Sequence, residues 1–257
     1  MRDFIAFHVV YFFQPVRLKY ELQTRTSGVN YVLKPKFNIM KKNLIFIIST
    51  LILVMKLFVQ CEKDEDELWG TSSMTDSRDG KTYNTVIING KEWMAENLAY
   101  KAGSGCWAYN DDEDNVATYG YLYNWETAKT ACPPGWHLPT DEEWKQLEMA
   151  VGMSQSQADD RDWRGTNEGL KLKAKSGWSF DGYDGNGYDD FGFSALPGGF
   201  RYYIGGFDHM GLYGRWWTAT ELSSTNAWMR KMYLSSDQVD RDYTSKESGF
   251  SVRCVRD

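Results

Sequence analysis

Cysteine and histidine are scarce in this sequence, and their scarcity excludes several kinds of catalytic or metal site. Four cysteines and three histidines are spread over 257 residues, with no C-x-x-C pair, so a tetrahedral zinc site has no supporting pattern. A G-x-S-x-G motif is also missing, which removes the usual signature of a serine nucleophile. His137 lies in the turn before a predicted helix, and we interpret it as a structural residue.

A long hydrophobic run is lacking as well. The longest apolar segment, residues 44–55, is too short for a comfortable membrane span and fits the hydrophobic region of a secretory signal. Lys41 and Lys42 precede it, and Met40 stands directly before them, where an initiator belongs. We therefore expect residues 1–39 to be an upstream extension of the reading frame and residues 40–60 to be a signal peptide.

Cys61 follows this apolar segment and resembles the acylation site of a bacterial lipoprotein. The acidic residues 62–67 resemble the tether of an exported surface protein, and we expect residues 61–75 to be flexible. Gln60 departs from the small residue usual before such a cysteine, so an ordinary signal peptide or an uncleaved anchor is the alternative. A lipid on Cys61 would hold the protein at the cell envelope, in the outer membrane or on the cell surface; otherwise we expect it to be secreted.

Positive charge is in deficit after the signal segment. Nine of the 29 basic residues but only two of the 35 acidic residues lie in residues 1–61, which leaves 20 basic and 33 acidic residues and a formal charge of −13 for residues 62–257. An acidic domain repels polyphosphate, so we expect no nucleic-acid partner.

Two kinds of local structure are well signalled. Two β-prone runs, residues 83–88 and 91–94, are joined by Asn-Gly, which predicts a hairpin. Apolar spacing predicts a short helix from about Asn124. A second helix is predicted from Asp141 to about Val151, with Thr140 opening a T-x-x-E capping box.

The second half of the domain shows weaker signals. Residues 154–190 are polar and glycine-rich, and we interpret them as a long irregular segment. Short aromatic runs separated by glycine turns follow, and they are typical of an antiparallel sheet. A hairpin, two helices and a set of strands together predict an α+β domain. The predicted strands are Phe191–Leu196, Phe200–Tyr203, Tyr213–Thr220, Ala227–Leu234 and Gly249–Val255.

Six ordered blocks of the sequence resemble the Fibrobacter succinogenes major paralogous domain, a family of secreted and lipid-anchored bacterial proteins. The resemblance spans about Thr75 to Asp257, so we place this domain at residues 76–257. The blocks are DSRDGKTYNTVIINGKEWMAENL, YGYLYNWETA, ACPPGWHLPTDEEW, FGFSALPGGFR, WWTATE and GFSVRCVRD.

The LPT-x-x-EW element and the terminal G-F-x-V-R also resemble the fold shared by formylglycine-generating enzymes and C-type lectin-like domains. That resemblance implies an α+β fold of two helices, a small twisted antiparallel sheet and long loops. Sequence alone leaves three connectivities open for Cys106, Cys132 and Cys254. The resemblance implies a disulfide between Cys132 and Cys254, which occupy the first helix and the last strand.

The formylglycine-generating relatives work through a cysteine pair near the end of the domain, and this sequence has no such pair. Residues 216–252 contain no cysteine, and Cys254 stands alone there. We therefore expect no enzymatic activity of this type.

One loop carries hard oxygen ligands of the kind that calcium prefers. Its spacing departs from the EF-hand pattern, so a solvated turn is the alternative, and we expect no other cofactor. The candidate calcium ligands are Asp181, Asp184, Asn186 and Asp189.

Aromatic residues are abundant, and several stand in polar loops. Rigid aromatic faces flanked by polar groups suit a sugar ring or a partner protein. We therefore interpret the chain as a non-catalytic envelope lipoprotein for recognition or adhesion, with a glycan or an envelope protein as ligand. The alternatives are a structural envelope protein without a small ligand and an oxidase relative. The candidate ligand-binding residues are Trp163, Trp178, Tyr188, Tyr202 and Tyr213.

Acylation of Cys61 predicts that cells fed a fatty-acid probe will label the wild-type protein but not Cys61→Ser, because the substitution removes the acceptor thiol. Cys106→Ser is the matched control and should label like the wild type. Equal labelling of the wild type and Cys61→Ser would contradict the prediction.

Overall fold

The computed structural model describes residues 48–50, 52–53, 55–56 and 69–257. The expected upstream extension, most of the expected signal peptide, and Cys61 lie outside these described residues. The described residues from 48 to 56 are helical, and no helix in the described part of the chain is long and apolar enough to span a membrane. The chain divides into two compact units, one ending at Cys61 and one beginning at Glu62, and the second unit carries the sheets.

A five-stranded sheet contains the predicted hairpin. The turn residues Asn89 and Gly90 have φ angles of 52° and 74°, a left-handed conformation that Asn-Gly tolerates well. The hairpin prediction is confirmed. The strands lie in the order β1, β2, β3, β15, β6, with bounds β1 Trp69–Thr75, β2 Thr82–Ile88, β3 Lys91–Met94, β6 Trp136–His137 and β15 Val255–Arg256.

A six-stranded sheet forms the other large layer. Its neighbouring strands are antiparallel, except that β10 and β12 run parallel. The order is β11, β10, β12, β13, β14, β7, with bounds β7 Asp162–Arg164, β10 Gly198–Arg201, β11 Phe207–Met210, β12 Tyr213–Glu221, β13 Asn226–Tyr233 and β14 Val239–Ser245. Two small sheets pair β4 Cys106–Trp107 with β5 Leu122–Tyr123, and β8 Ser179–Phe180 with β9 Tyr183–Asp184.

Both predicted helices are confirmed, and their caps explain where they begin. The Asn124 side chain accepts from the backbone N–H of Thr127, and Thr140 and Glu143 form the predicted capping box. Five α-helices occur in residues 69–257: α1 Val116–Tyr119, α2 Trp125–Ala131, α3 Asp141–Ala150, α4 Gln155–Asp159 and α5 Glu168–Leu172. Short 3-10 helices span Tyr109–Asp111 and Glu113–Asn115.

The expected α+β fold, with two helices beside a small sheet as in C-type lectin-like or formylglycine-generating domains, is wrong. Residues 69–257 form fifteen strands in four sheets, so the domain is mostly β. Six of these strands have only two residues, too few to show an alternating pattern in the sequence. Strand content was therefore underestimated.

Two segments expected to be irregular are in fact partly ordered. Residues 69–75 were expected to belong to the flexible tether, but they form β1, which pairs with β2 along its whole length. Their side chains are almost all exposed, so the backbone ladder rather than apolar burial holds this edge strand. The segment 154–190 contains α4, β7, α5, β8 and β9.

Two apolar cores lie in the unit, and the disulfide belongs to one of them. Trp217 and Phe250 stack at 4.5 Å in the first core, whereas Trp93 and Trp144 meet edge to face at 5.4 Å in the second. Cys132 and Cys254 form the disulfide that the family resemblance implied, with their Cα atoms 5.8 Å apart. It ties the end of α2 to the residue before β15.

A buried group of charges fixes α3 against the six-stranded sheet. Arg230 of β13 donates from Nε to Glu148 and from Nη1 to Asp141, both at 2.7 Å. Arg241 of β14 also donates to the Asp141 carboxylate, and Arg164 of β7 donates to Glu148. Removing one member of such a group would leave an uncompensated buried charge.

The disulfide closes a long loop, and its loss should destabilise the fold. The cysteines are 122 residues apart, and the chain-entropy treatment gives about 5 kcal/mol for a loop of that length, with measured losses of about 2–5 kcal/mol. We expect the double variant Cys132→Ser, Cys254→Ser to lose that much free energy of unfolding in urea. Cys106→Ser is the control and should unfold like the wild type. An unchanged urea midpoint in the double variant would contradict the prediction.

The carboxylate of Asp141 should make stability depend on pH in acid. Burial alone would raise its pKa, but hydrogen bonds from Arg241 and the charge of Arg230 outweigh burial and lower the pKa to about 2. Because this lies below the unfolded value of about 3.9, the contribution is complete above that value and is lost as the pH falls toward 2. We expect Asp141→Asn to lower the free energy of unfolding by about 2 kcal/mol at pH 7.

Urea unfolding at a series of pH values checks this expectation. The difference between the wild type and Asp141→Asn should shrink from pH 5 toward pH 2. Asp159→Asn is the matched control, because Asp159 lies in solvent on the neighbouring α4, and its effect should be much smaller at every pH. A difference that did not change with pH would contradict the prediction.

Candidate functional site

One face of the six-stranded sheet carries a row of residues that sequence order does not reveal. Arg215 pairs with Lys231, Lys231 with Asp240, and Asp240 with Trp163. Directly paired residues share a face of a sheet. Phe200 extends the row onto β10, where its ring lies 3.6 Å from the guanidinium carbon of Arg215. The row therefore crosses five neighbouring strands.

Aromatic rings line one side of this row. Tyr213 and Tyr233 are paired across β12 and β13, and their rings stack at 4.6 Å. The His209 ring meets Tyr213 edge to face at 5.2 Å and stacks on Phe200 at 5.5 Å. Tyr202 packs against Phe200 at 4.9 Å. We call the whole surface the Arg215 face, and its members are Trp163, Phe200, Tyr202, His209, Tyr213, Arg215, Lys231, Tyr233 and Asp240.

Arg215 is the least satisfied charge on this face. Its side chain makes no ion pair or hydrogen bond with any residue that the structure describes, and its Nε is buried without a partner. The residue as a whole is half-buried. Burial lowers the pKa of Arg215, and the nearby phenols of Tyr213 and Tyr202 offset this only in part. The guanidinium therefore packs against aromatic rings, and its N–H donors have no acceptor among the described residues.

The other two charged residues of the row, Lys231 and Asp240, form an ion pair, although Asp240 Oδ1 is buried without a hydrogen-bond partner among the described residues. Lys231 Nζ lies 3.2 Å from Asp240 Oδ2, and it also lies 5.1 Å from the centre of the Trp163 ring. Burial raises the pKa of Asp240, and the charge of Lys231 opposes that rise. Trp163 is 37% exposed at the edge of the sheet, so its ring remains accessible.

Three of the five predicted ligand-binding aromatics lie on the Arg215 face: Trp163, Tyr202 and Tyr213. Tyr188 is exposed but lies in the loop after β9. Trp178 cannot contact a ligand, because it is fully buried and its Nε1 donates to the carbonyl of Ala195 at 2.8 Å. Its polar and glycine-rich sequence neighbours indicated a loop, whereas the ring fills the second core.

The loop expected to bind calcium uses its oxygens to hold its own backbone. Asp184 accepts from the backbone N–H of Asn186, Asn186 accepts from that of Trp178, and Asp189 accepts from the N–H and hydroxyl of Ser194. Asp181 lies in the turn between β8 and β9. Across the described residues, no three His, Cys, Asp or Glu side chains come together as metal ligands. The geometry therefore gives the calcium hypothesis no support.

The remaining candidate features have structural roles. His137 contacts Asp257 through Nδ1 at 2.6 Å and Glu143 through Nε2 at 3.0 Å, which ties the chain end to the cap of α3. Cys106 is a free thiol whose pKa burial raises to about 11. A groove of about 610 Å³ beside β1 is lined mainly by small and polar residues and has no aromatic ring.

Sequence reasoning missed six of the nine residues of the Arg215 face: Phe200, His209, Arg215, Lys231, Tyr233 and Asp240. Their strands were partly predicted, but the pairing that aligns them depends on strand order and register. The usable signal was alternation, since Tyr213 and Arg215, like Lys231 and Tyr233, are two residues apart on their strands.

A family comparison agrees with the six sequence blocks. A sequence model of the Fibrobacter succinogenes major domain matches residues 86–256. No curated protein and no solved structure matches the chain, so the likeness to formylglycine-generating or C-type lectin-like proteins is not confirmed. Since the matched residues make up about two thirds of the chain, this protein belongs to the Fibrobacter succinogenes major domain family.

Proposed function

We propose that this protein is a non-catalytic recognition domain of the bacterial cell envelope that binds a glycan through the Arg215 face. The observation that carries the proposal is the gathering of Trp163, Tyr202, Tyr213 and Tyr233 on one side of a single sheet, all at least partly accessible. Rigid aromatic faces supply packing area, and polar groups beside them fix orientation.

The polar groups on this face favour a glycan over a protein partner. Asp208 accepts from the Tyr202 hydroxyl at 3.1 Å, and Lys231 and Asp240 lie between the tyrosine pair and Trp163. Sugar hydroxyls can both donate to such carboxylates and accept from such cations. A protein interface core is instead depleted of charged residues.

The state of the cysteines supports a non-catalytic role. Cys132 and Cys254 are joined to each other, and the raised pKa of Cys106 keeps its thiol protonated and unreactive at neutral pH. A thiol-based oxidase would need an accessible thiolate. Attachment to the envelope through a lipid on Cys61 is part of the same proposal and rests on the sequence alone.

A glycan array probed with the full-length chain in mild detergent tests the proposal. We expect reproducible binding to a restricted set of oligosaccharides. Tyr213→Ala and Trp163→Ala should each weaken that binding about tenfold or more. Each substitution removes an aromatic ring whose packing contributes of the order of 1–3 kcal/mol to the binding free energy.

Tyr188→Ala is the matched control, since it removes an exposed aromatic ring outside the Arg215 face. It should bind like the wild type. Array binding that Tyr188→Ala weakens as much as Tyr213→Ala would contradict the proposed site. A well-folded protein that binds no glycan would favour a structural role in the envelope.

A further inference from the structure

We propose that the Arg215 face recognises an acidic sugar and that Arg215 binds its carboxylate. This inference rests on the proposed function and names the chemical class of the glycan. Its basis is the geometry of a guanidinium that is packed on Phe200 but has no hydrogen-bond acceptor among the described residues. A planar fork of N–H donors matches the two oxygens of a carboxylate.

Two other buried arginines of this domain donate hydrogen bonds to several acceptors each. Arg230 donates to two carboxylates, and Arg253 donates to Asn97 and to the carbonyls of Phe193 and Ser194. Arg215 has no equivalent acceptors in the part of the chain that the structure describes. Partial burial of an unpaired cation is costly, and an anion brought by a ligand would offset that cost.

The acids nearest to Arg215 do not pair with it, although Asp240 Oδ1 is itself buried without a hydrogen-bond partner among the described residues. Asp240 pairs with Lys231 at 3.2 Å, and Asp208 accepts from Tyr202 and from the backbone N–H of His209. Asp242 lies two strands away from Arg215, on β14 opposite Met229. None of these carboxylates forms an ion pair with Arg215, so the guanidinium is open to a carboxylate from outside.

The surrounding acids also limit how much negative charge the ligand can carry. Among the described residues, Arg215 is an unpaired cation near Asp208, Asp240 and Asp242, on a domain whose formal charge is −13 over residues 62–257. A polyanion would be repelled. A mainly neutral oligosaccharide with one uronic acid fits better, because one carboxylate meets Arg215 while hydroxyls meet the acids and the ring packs on Tyr213 and Tyr233.

Binding of matched oligosaccharides to the full-length chain tests this inference. The probes are neutral oligosaccharides that each carry one glucuronic or galacturonic acid, together with the same compounds as methyl esters. We expect the best acid to bind about 10- to 100-fold more tightly than its ester, which is the usual range for a charge-assisted hydrogen bond. Arg215→Gln should abolish that difference and leave affinity for the ester unchanged.

Arg201→Gln is the matched control. Arg201 also packs over an aromatic ring, that of Trp107 at 4.1 Å, but it adjoins Phe200 on β10 and so points to the other face. This variant should keep the preference for the acid. Thermal unfolding checks that both variants fold, and Arg215→Lys, which keeps the charge but loses the fork, should show an intermediate preference if Arg215→Gln does not fold.

Two results would overturn the inference, and they differ in what they say about the proposed function. Equal binding of acids and esters, or an acid preference that survives Arg215→Gln, would overturn it. Neutral glycans that still bind in a Tyr213-dependent way would then leave the proposed function standing. Failure of every glycan, acidic or neutral, to bind the folded protein would overturn both.

Discussion

The side chain of Arg230 is the constraint on which the arrangement of the larger sheet depends. It is fully buried between Asp141 and Glu148 of α3, and a cation can stay there only while both carboxylates face it. Successive residues of a strand point to opposite faces, so a slip of one residue would expose Arg230 and bury Lys231 among apolar residues. The register of β13 is thereby fixed, and with it the outward position of Lys231 and Tyr233.

The same alternation explains why aromatic residues occur on both sides of β12. Trp216 points toward α3 and packs with Trp144, whereas Trp217 points to the opposite side and stacks on Phe250. Both sides of the sheet therefore have a core. On the second side, the cover formed by Trp125, Phe250 and their neighbours lies over the Trp217 end of the strands. Phe200 and Asp240 of the Arg215 face are buried on that side, whereas Trp163, Tyr202, Tyr213 and Tyr233 remain at least partly accessible.

Local signals were enough to predict the hairpin and the two longest helices. Asn89-Gly90 and the Thr140 capping box act within a few residues of one another, and the disulfide came from the resemblance to a known family. The fold class could not be predicted from such signals. Six strands of two residues show no periodicity, and the parallel pairing of β10 with β12 joins segments that sequence order separates. The prediction that Trp178 binds a ligand failed for a related reason. Its sequence neighbours are polar and indicate an exposed loop, but its ring is buried in the core and anchors that loop.

Arg230 and Arg215 lie in the same sheet, but Arg230 stabilises the fold, whereas Arg215 is proposed to bind a ligand. Both guanidinium groups are held by the same pair of strands, β12 and β13, and Trp216, which pairs with Arg230, is the next residue after Arg215. Arg230 meets acceptors from α3, so its desolvation is compensated within the fold. Within residues 69–257, the Arg215 side chain contacts aromatic rings and no hydrogen-bond acceptor, so its desolvation is not compensated within the fold. Function is expected where a fold leaves a buried polar group without the partner that such groups normally have. Arg215 is such a place, and a ligand can supply the hydrogen-bond acceptor that it lacks.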